Sequence, residues 1–119
     1  MGNSLTEPVT QRHDPDCIFC KIIAGDIPSE RVHEDDHVVA FKDLHPQAPM
    51  HVLVVPRAHR RDVTELAQDP ALLAHTAQVA AEVAAAHGDG DFRLIFNTGA
   101  NAGQTVFHVH AHVLAGGKL

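Results

Sequence analysis

The chain reads as short apolar runs separated by polar breaks that contain proline or glycine. Arg31–Glu34 and Val38–Lys42 flank Asp35-Asp36, which predicts a hairpin. His51–Val55 is a β-branched apolar run closed by Pro56, which predicts a buried strand. Phe92–Asn97 and Val106–Leu114 predict two more strands around the glycine-containing loop Thr98–Thr105. Between them, Pro70–His87 places Leu72, Thr76, Val79 and Val83 on one helical stripe. Asp69 suits its N-cap, Pro70 its first turn and Gly88 its end. Shorter helices are predicted over Cys17–Ala24, capped by Asp16 and ended by Gly25, and over Asp62–Ala67. Residues 1–15 are polar, contain two prolines and predict a flexible arm before one domain over 16–119. Neighbouring strand pairs with one main helix between them predict an α+β fold. It has an antiparallel sheet of about five strands, the main helix and a short N-terminal helix.

Composition narrows the function. Apolar residues make up 45% of 119, enough for a core, and with no Trp or Tyr that core rests on Val, Leu, Ile and Ala. A formal net charge of −6 argues against nucleic acid as a partner, since tracking a phosphate backbone needs a basic surface. One small anionic nucleotide in a local pocket remains compatible. No window of about 18 apolar residues predicts a membrane span, and the N-terminus lacks an apolar signal core. Met1-Gly2-Asn3-Ser4-Leu5-Thr6 matches the short myristoylation pattern, but without a polybasic neighbour it reads as part of the arm. A cytoplasmic location is expected. The two cysteines, Cys17 and Cys20, are spaced C-x-x-C, which suggests half of a metal site or a redox pair.

The last strand carries the chemistry. Strand alternation puts Val106, His108, His110 and His112 on one face and Phe107, Val109, Ala111 and Val113 on the other, against the helix. A row of imidazoles can be merely solvated, can bind a catalytic metal, or can attack phosphorus while a neighbour handles the leaving-group proton. The preceding Asn97–Thr105 loop has glycines and small polar residues, whose backbone N–H groups can approach phosphate oxygens. Joined to the histidine row, it favours phosphoryl chemistry.

The run His108-Val109-His110-Ala111-His112-Val113-Leu114 resembles the signature of the histidine triad family, His-φ-His-φ-His-φ-φ with φ apolar. Ala102–Phe107, Cys17–Pro28 and Ala48–Pro56 are similar to the family's other blocks, in the same order. Gly116-Gly117 resembles the ending of its nucleotide-binding Hint branch. The resemblance implies a homodimer with joined sheets and a hydrolase that cleaves at the α-phosphate of purine nucleoside phosphoramidates or related adenylates. The intermediate would be a nucleotidyl-histidine; the alternatives are a dinucleoside polyphosphate hydrolase or phosphorylase of a sister branch, a zinc-dependent hydrolase, and a nucleotide-binding regulatory module. It implies His110 as nucleophile, His112 at the phosphate and leaving group, His51 in support, and Thr105 as a hydroxyl donor. Gly103, Gln104 and Thr105 would line the phosphate, with Asn97 opening the loop. Asp43 would take the ribose hydroxyls, and Phe19, Ile22, Phe41 and Leu44 the base. It also implies a structural zinc on Cys17, Cys20, His59 and His108, four N/S ligands that suit a tetrahedron. No organic cofactor is implied.

Overall fold

The computed structural model describes residues 14–119, so nearly all of the expected arm lies outside the described residues, as does the myristoylation pattern. The elements are α1 (Ile18–Ala24), β1 (Arg31–Glu34), β2 (Val38–Lys42), β3 (Met50–Pro56), α2 (Val63–Leu66), α3 (Pro70–His87), β4 (Arg93–Ile95) and β5 (Ala111–Ala115). A single 3-10 turn, Ala100–Ala102, interrupts the long loop between β4 and β5. The sheet is antiparallel throughout, in the order β1-β2-β3-β5-β4.

Each sheet face has its own cover. On one face Val38, Ala40, Val52, Val54, Ala111 and Val113 meet Leu72, Val79, Ala80 and Val83 of α3. On the other, Val39, Phe41, Leu53 and Val55 meet Cys17, Phe19, Cys20 and Ile22 of α1. Because both faces are covered, β3 is buried at every position. The predicted ends of α3 hold: the Asp69 carboxylate accepts from Leu72 N, Pro70 opens the helix and Gly88 ends it. Thr76 sits on the buried stripe because its hydroxyl donates to the Leu72 carbonyl at 2.7 Å. Asp35 ties the β1–β2 turn to α3 by accepting from His33 Nε2 and His75 Nε2 at 2.7 and 2.8 Å. Among the described residues no helix is long and apolar enough to cross a membrane.

Three sequence expectations need correction. The helix α1 is capped by Cys17 rather than Asp16: the Cys17 sulfur accepts from Cys20 N, while Asp16 N turns back to Asp14 Oδ1. The last strand begins at Ala111 rather than Val106. Continued past Val54–Ala111, the β3–β5 register would set Val55 against His110 and Pro56 against Val109; Pro56 has no N–H to give that pair, and Val109 N donates instead to the Arg60 carbonyl at 2.7 Å. Ahead of the strand, alternation survives for Val109, which is buried against the α3 face, but not for Phe107, which is 45% exposed.

Candidate active site and metal cluster

His110 lies just ahead of β5 with its ring edge-on to Phe19 (centroids 4.9 Å apart) and beside His112 (5.1 Å). Its Nδ1 is 2.8 Å from the His108 carbonyl. A carbonyl only accepts, so Nδ1–H donates and the lone pair of the neutral ring sits on Nε2. Burial pulls the His110 pKa below the ordinary histidine value, despite opposing help from the His108 carbonyl and Asp43. Burial, then the charges of His110 and His51, lowers His112 as well.

Behind this pair, His51 on β3 is fully covered, with Nε2 3.0 Å from His112 Nδ1 and 3.5 Å from Asp43 Oδ2. Gln47 N donates to His51 Nδ1 at 3.0 Å from the loop between β2 and β3. Gly116 holds that loop in place. Its φ is +97°, and a Cβ there would lie 2.8 Å from Pro49 Cβ, so only glycine suits the position.

In the loop before β5, Gln104 is buried and acts as a strut. Its amide nitrogen donates to the Arg61 carbonyl (2.7 Å) and the Val106 carbonyl (3.1 Å), and its oxygen accepts from Gly99 N (2.8 Å). Its backbone N–H also donates within the loop, to the Gly99 carbonyl at 3.1 Å. Gly99 and Gly103 supply the positive φ angles that the loop turns on. Gln104→Ala is expected to strand three backbone groups, cost about 2 kcal/mol of stability and weaken AMP binding roughly tenfold. Denaturant unfolding and calorimetric titration check this; an unchanged AMP affinity would show that the loop holds its shape without the strut.

The Cys17, Cys20, His59 and His108 donors converge within 4.8 Å of one another. His108 Nδ1 lies 3.3 Å from Cys17 Sγ, 3.6 Å from Cys20 Sγ and 3.2 Å from His59 Nδ1, and Cys20 Sγ lies 3.5 Å from His59 Nδ1. Ordinary zinc–sulfur and zinc–nitrogen bonds in a tetrahedron give edges of about 3.3 Å between nitrogens and about 3.6 Å between sulfur and nitrogen. The donor set therefore fits that ion. His108 is fully buried, and its Nε2–H donates to the Pro56 carbonyl at 2.8 Å, so the Nδ1 lone pair faces the other donors. Burial pushes the His108 pKa down to about 4 and the Cys20 thiol up to about 11.

A HIT-domain profile matches residues 24–119. A purine nucleoside phosphoramidase of Escherichia coli is 42% identical over 105 residues, covering 86% of this chain and 88% of that one. A HIT-like protein of Synechocystis is 52% identical over 103 residues, covering 85% and 90%. The chain belongs to the HIT family. Among solved structures, a histidine triad protein from Clostridium difficile superposes with a TM-score of 0.85 at 43% identity, covering 91% of this chain and 96% of that one.

Within this HIT fold the other expected site residues distribute unevenly. Phe19, Ile22 and Phe41 form one buried cluster, whereas Leu44 is 87% exposed on the β2–β3 loop and stands apart from it. Asn97 is half-buried and Thr105 exposed at opposite ends of the loop. Asp43 Oδ1 accepts from His45 N, which orients the carboxylate. Sequence reasoning missed the backbone partners: the Gln47 amide and the Pro56 and Arg61 carbonyls. No side-chain type marks such groups. Only Gly116, a glycine just past the last strand, could have pointed to a close backbone approach there.

Proposed function

We propose that this HIT-family protein is a nucleotide hydrolase that cleaves purine nucleoside phosphoramidates or related adenylates through a nucleotidyl-histidine. The observation that carries the reading is the His110 Nδ1–H bond to the His108 carbonyl, which leaves the lone pair of the neutral ring on Nε2. In the first step His110 Nε2 bonds to the α-phosphorus and the bond to the leaving group breaks. The electron pair goes to the leaving nitrogen, which takes up a proton in the region of His112, with His51 and Asp43 behind it. Water then attacks the phosphorus, the P–Nε2 bond breaks with its electron pair returning to His110, and the proton that water loses replaces the one given to the leaving nitrogen. Gly103 and Gln104, whose N–H groups donate within the loop, would shape the phosphate side, and Thr105 with its N–H and hydroxyl, together with Asn97, would hold the phosphate. Asp43 would accept from the ribose, and Phe19, Ile22 and Phe41, with Leu44 at the rim, would hold the base. The phosphoramidase relative supports this substrate class.

Zinc on Cys17, Cys20, His59 and His108 is part of the same reading. All four positions are protein ligands, so the ion would be structural, fastening α1 to the sheet. A homodimer with joined sheets would use the free edge of β4, whose Leu94 and Ile95 are only half-buried. The two free thiols suit a cytoplasmic setting.

Rapid-quench mass spectrometry with adenosine 5′-phosphoramidate tests the chemistry. An AMP adduct on the His110 peptide is expected, and turnover retained by a variant without His110 would overturn it. The pH profile adds a second check. His110 attacks only when neutral, and its lowered pKa keeps it neutral further into acid. The acid limb of kcat/KM should therefore centre below about 6.5, the ordinary histidine value. A limb centred above that value would assign the limb to another group.

A further inference from the structure

The site region holds two histidine-bearing sets able to gather round a metal: Cys17–Cys20–His59–His108 and Asp43–His51–His112. A neutral imidazole binds a metal only through the nitrogen without its proton, so the partner of the other nitrogen decides. For His108 that partner is the Pro56 carbonyl. It takes Nε2–H at 2.8 Å and leaves the Nδ1 lone pair facing the cysteines. For His51 the partner is opposite in kind. The Gln47 N–H can only donate, and it points at Nδ1 from 3.0 Å. The proton of neutral His51 is therefore on Nε2, the nitrogen that faces Asp43 and His112. It donates to His112 Nδ1 at 3.0 Å, with Asp43 Oδ2 3.5 Å away. His112 is left with its own proton on Nε2. His110, whose ring is 5.1 Å from that of His112, is set the other way, with its lone pair on Nε2.

We propose that the backbone N–H of Gln47 keeps metal ions out of the Asp43–His51–His112 set and fixes His112 as a hydrogen-bond donor, so that this corner of the site receives an anion. Gln47 is a positioning residue: it acts through His51 and touches neither substrate nor reacting atoms. To ligate through Nε2, His51 would have to place Nδ1–H against the Gln47 N–H. That pairing sets two donors against each other, one of them on the buried His51 ring, and disfavours the metal-binding tautomer on the order of ten- to hundredfold. Without a metal, the same inversion of His51 would move the His112 proton to Nδ1 and turn a lone pair of His112 Nε2 toward a phosphate oxygen. Backbone groups thus sort two similar histidine sets into a metal cluster and a phosphate-facing pair.

Two measurements test this on the full, zinc-loaded chain. Nitrogen-15 NMR of the imidazoles should show Nε2–H on His51 and on His112, and Nδ1–H on His110. A resting His51 or His112 that carries its proton on Nδ1 would overturn the proposal without any variant. Gln47→Pro removes the N–H. Titrated with zinc, the variant should take up a second ion per chain ten- to hundredfold more tightly than the parent, and His112→Ala in the same background should remove that ion. A parent chain that itself binds a second zinc lost on His112→Ala, or a Gln47→Pro chain with unchanged zinc affinity, would overturn it. The inhibition that the second zinc should cause rests on the hydrolase reading. The tautomers and zinc stoichiometry do not, so absence of an AMP adduct with these NMR signatures intact would count against the hydrolase alone.

Discussion

His110→Ala is expected to cut phosphoramidate turnover on the order of 10⁴-fold or more while AMP still binds. The His110 Nε2 carries a lone pair because Nδ1 keeps the proton and donates it to the His108 carbonyl. His112 cannot substitute, since its Nδ1 accepts from His51 Nε2 and its own proton sits on Nε2. Removing the ring leaves the phosphate loop, anchored by Gln104, and the cluster of Phe19, Ile22 and Phe41 in place, so AMP affinity should change little. Steady-state kinetics with calorimetric titration of AMP separates the two quantities. Substantial residual turnover would exclude His110 as the nucleophile.

Cys17→Ser should bring zinc content from one per chain to near zero and lower the melting temperature by roughly 15 °C under metal-replete conditions. The substitution is selective. Cys17 caps α1 by accepting from Cys20 N, and serine is a better N-cap than cysteine, so the helix loses a metal ligand and not its cap. Without the ion, α1 keeps its hold on the sheet through the apolar cluster and through Arg31, whose guanidinium donates to the Ile22 and Ile23 carbonyls at 2.6 and 3.2 Å. The Cys20 thiol, raised to about 11 by burial, must give up a proton to bind zinc, and acid should therefore release the ion. Elemental analysis beside thermal melts of parent, chelated parent and variant checks the chain of reasoning. Equal metal content near zero in parent and variant would remove the zinc reading, and a variant melting with the parent would make the ion incidental to stability.

The parts of this molecule that are legible in the sequence are those written in neighbouring residues. Asp69, Pro70 and Gly88 mark both ends of α3 because a helix cap is a local bond. The hairpin around Asp35-Asp36 is equally local, with the Asp35 carboxylate accepting from His37 N and Val38 N. The late start of β5 is not legible, since its cause is the N–H that Pro56 lacks on a strand some fifty residues earlier. The same holds for the tie from His75 on α3 to Asp35 in a distant turn. At the site, the histidine row can be read from alternation and the cysteine pair from spacing. The proton on each ring cannot, because it is decided by backbone groups of Gln47, Pro56 and His108 that only the folded chain delivers.

The alternation through β3 and the histidine run has a consequence for how such a chain can diversify. Val52 and Val54 answer to α3, while His51, Leu53 and Val55 answer to the opposite face. Val109, Ala111 and Val113 likewise face the helix, and His108, His110 and His112 do not. Selection for durability and selection for chemistry therefore press on interleaved but separate letters of the same strands. A lineage can trade one leaving group for another by altering every second residue, and the scaffold that survives the experiment is already paid for on the other side.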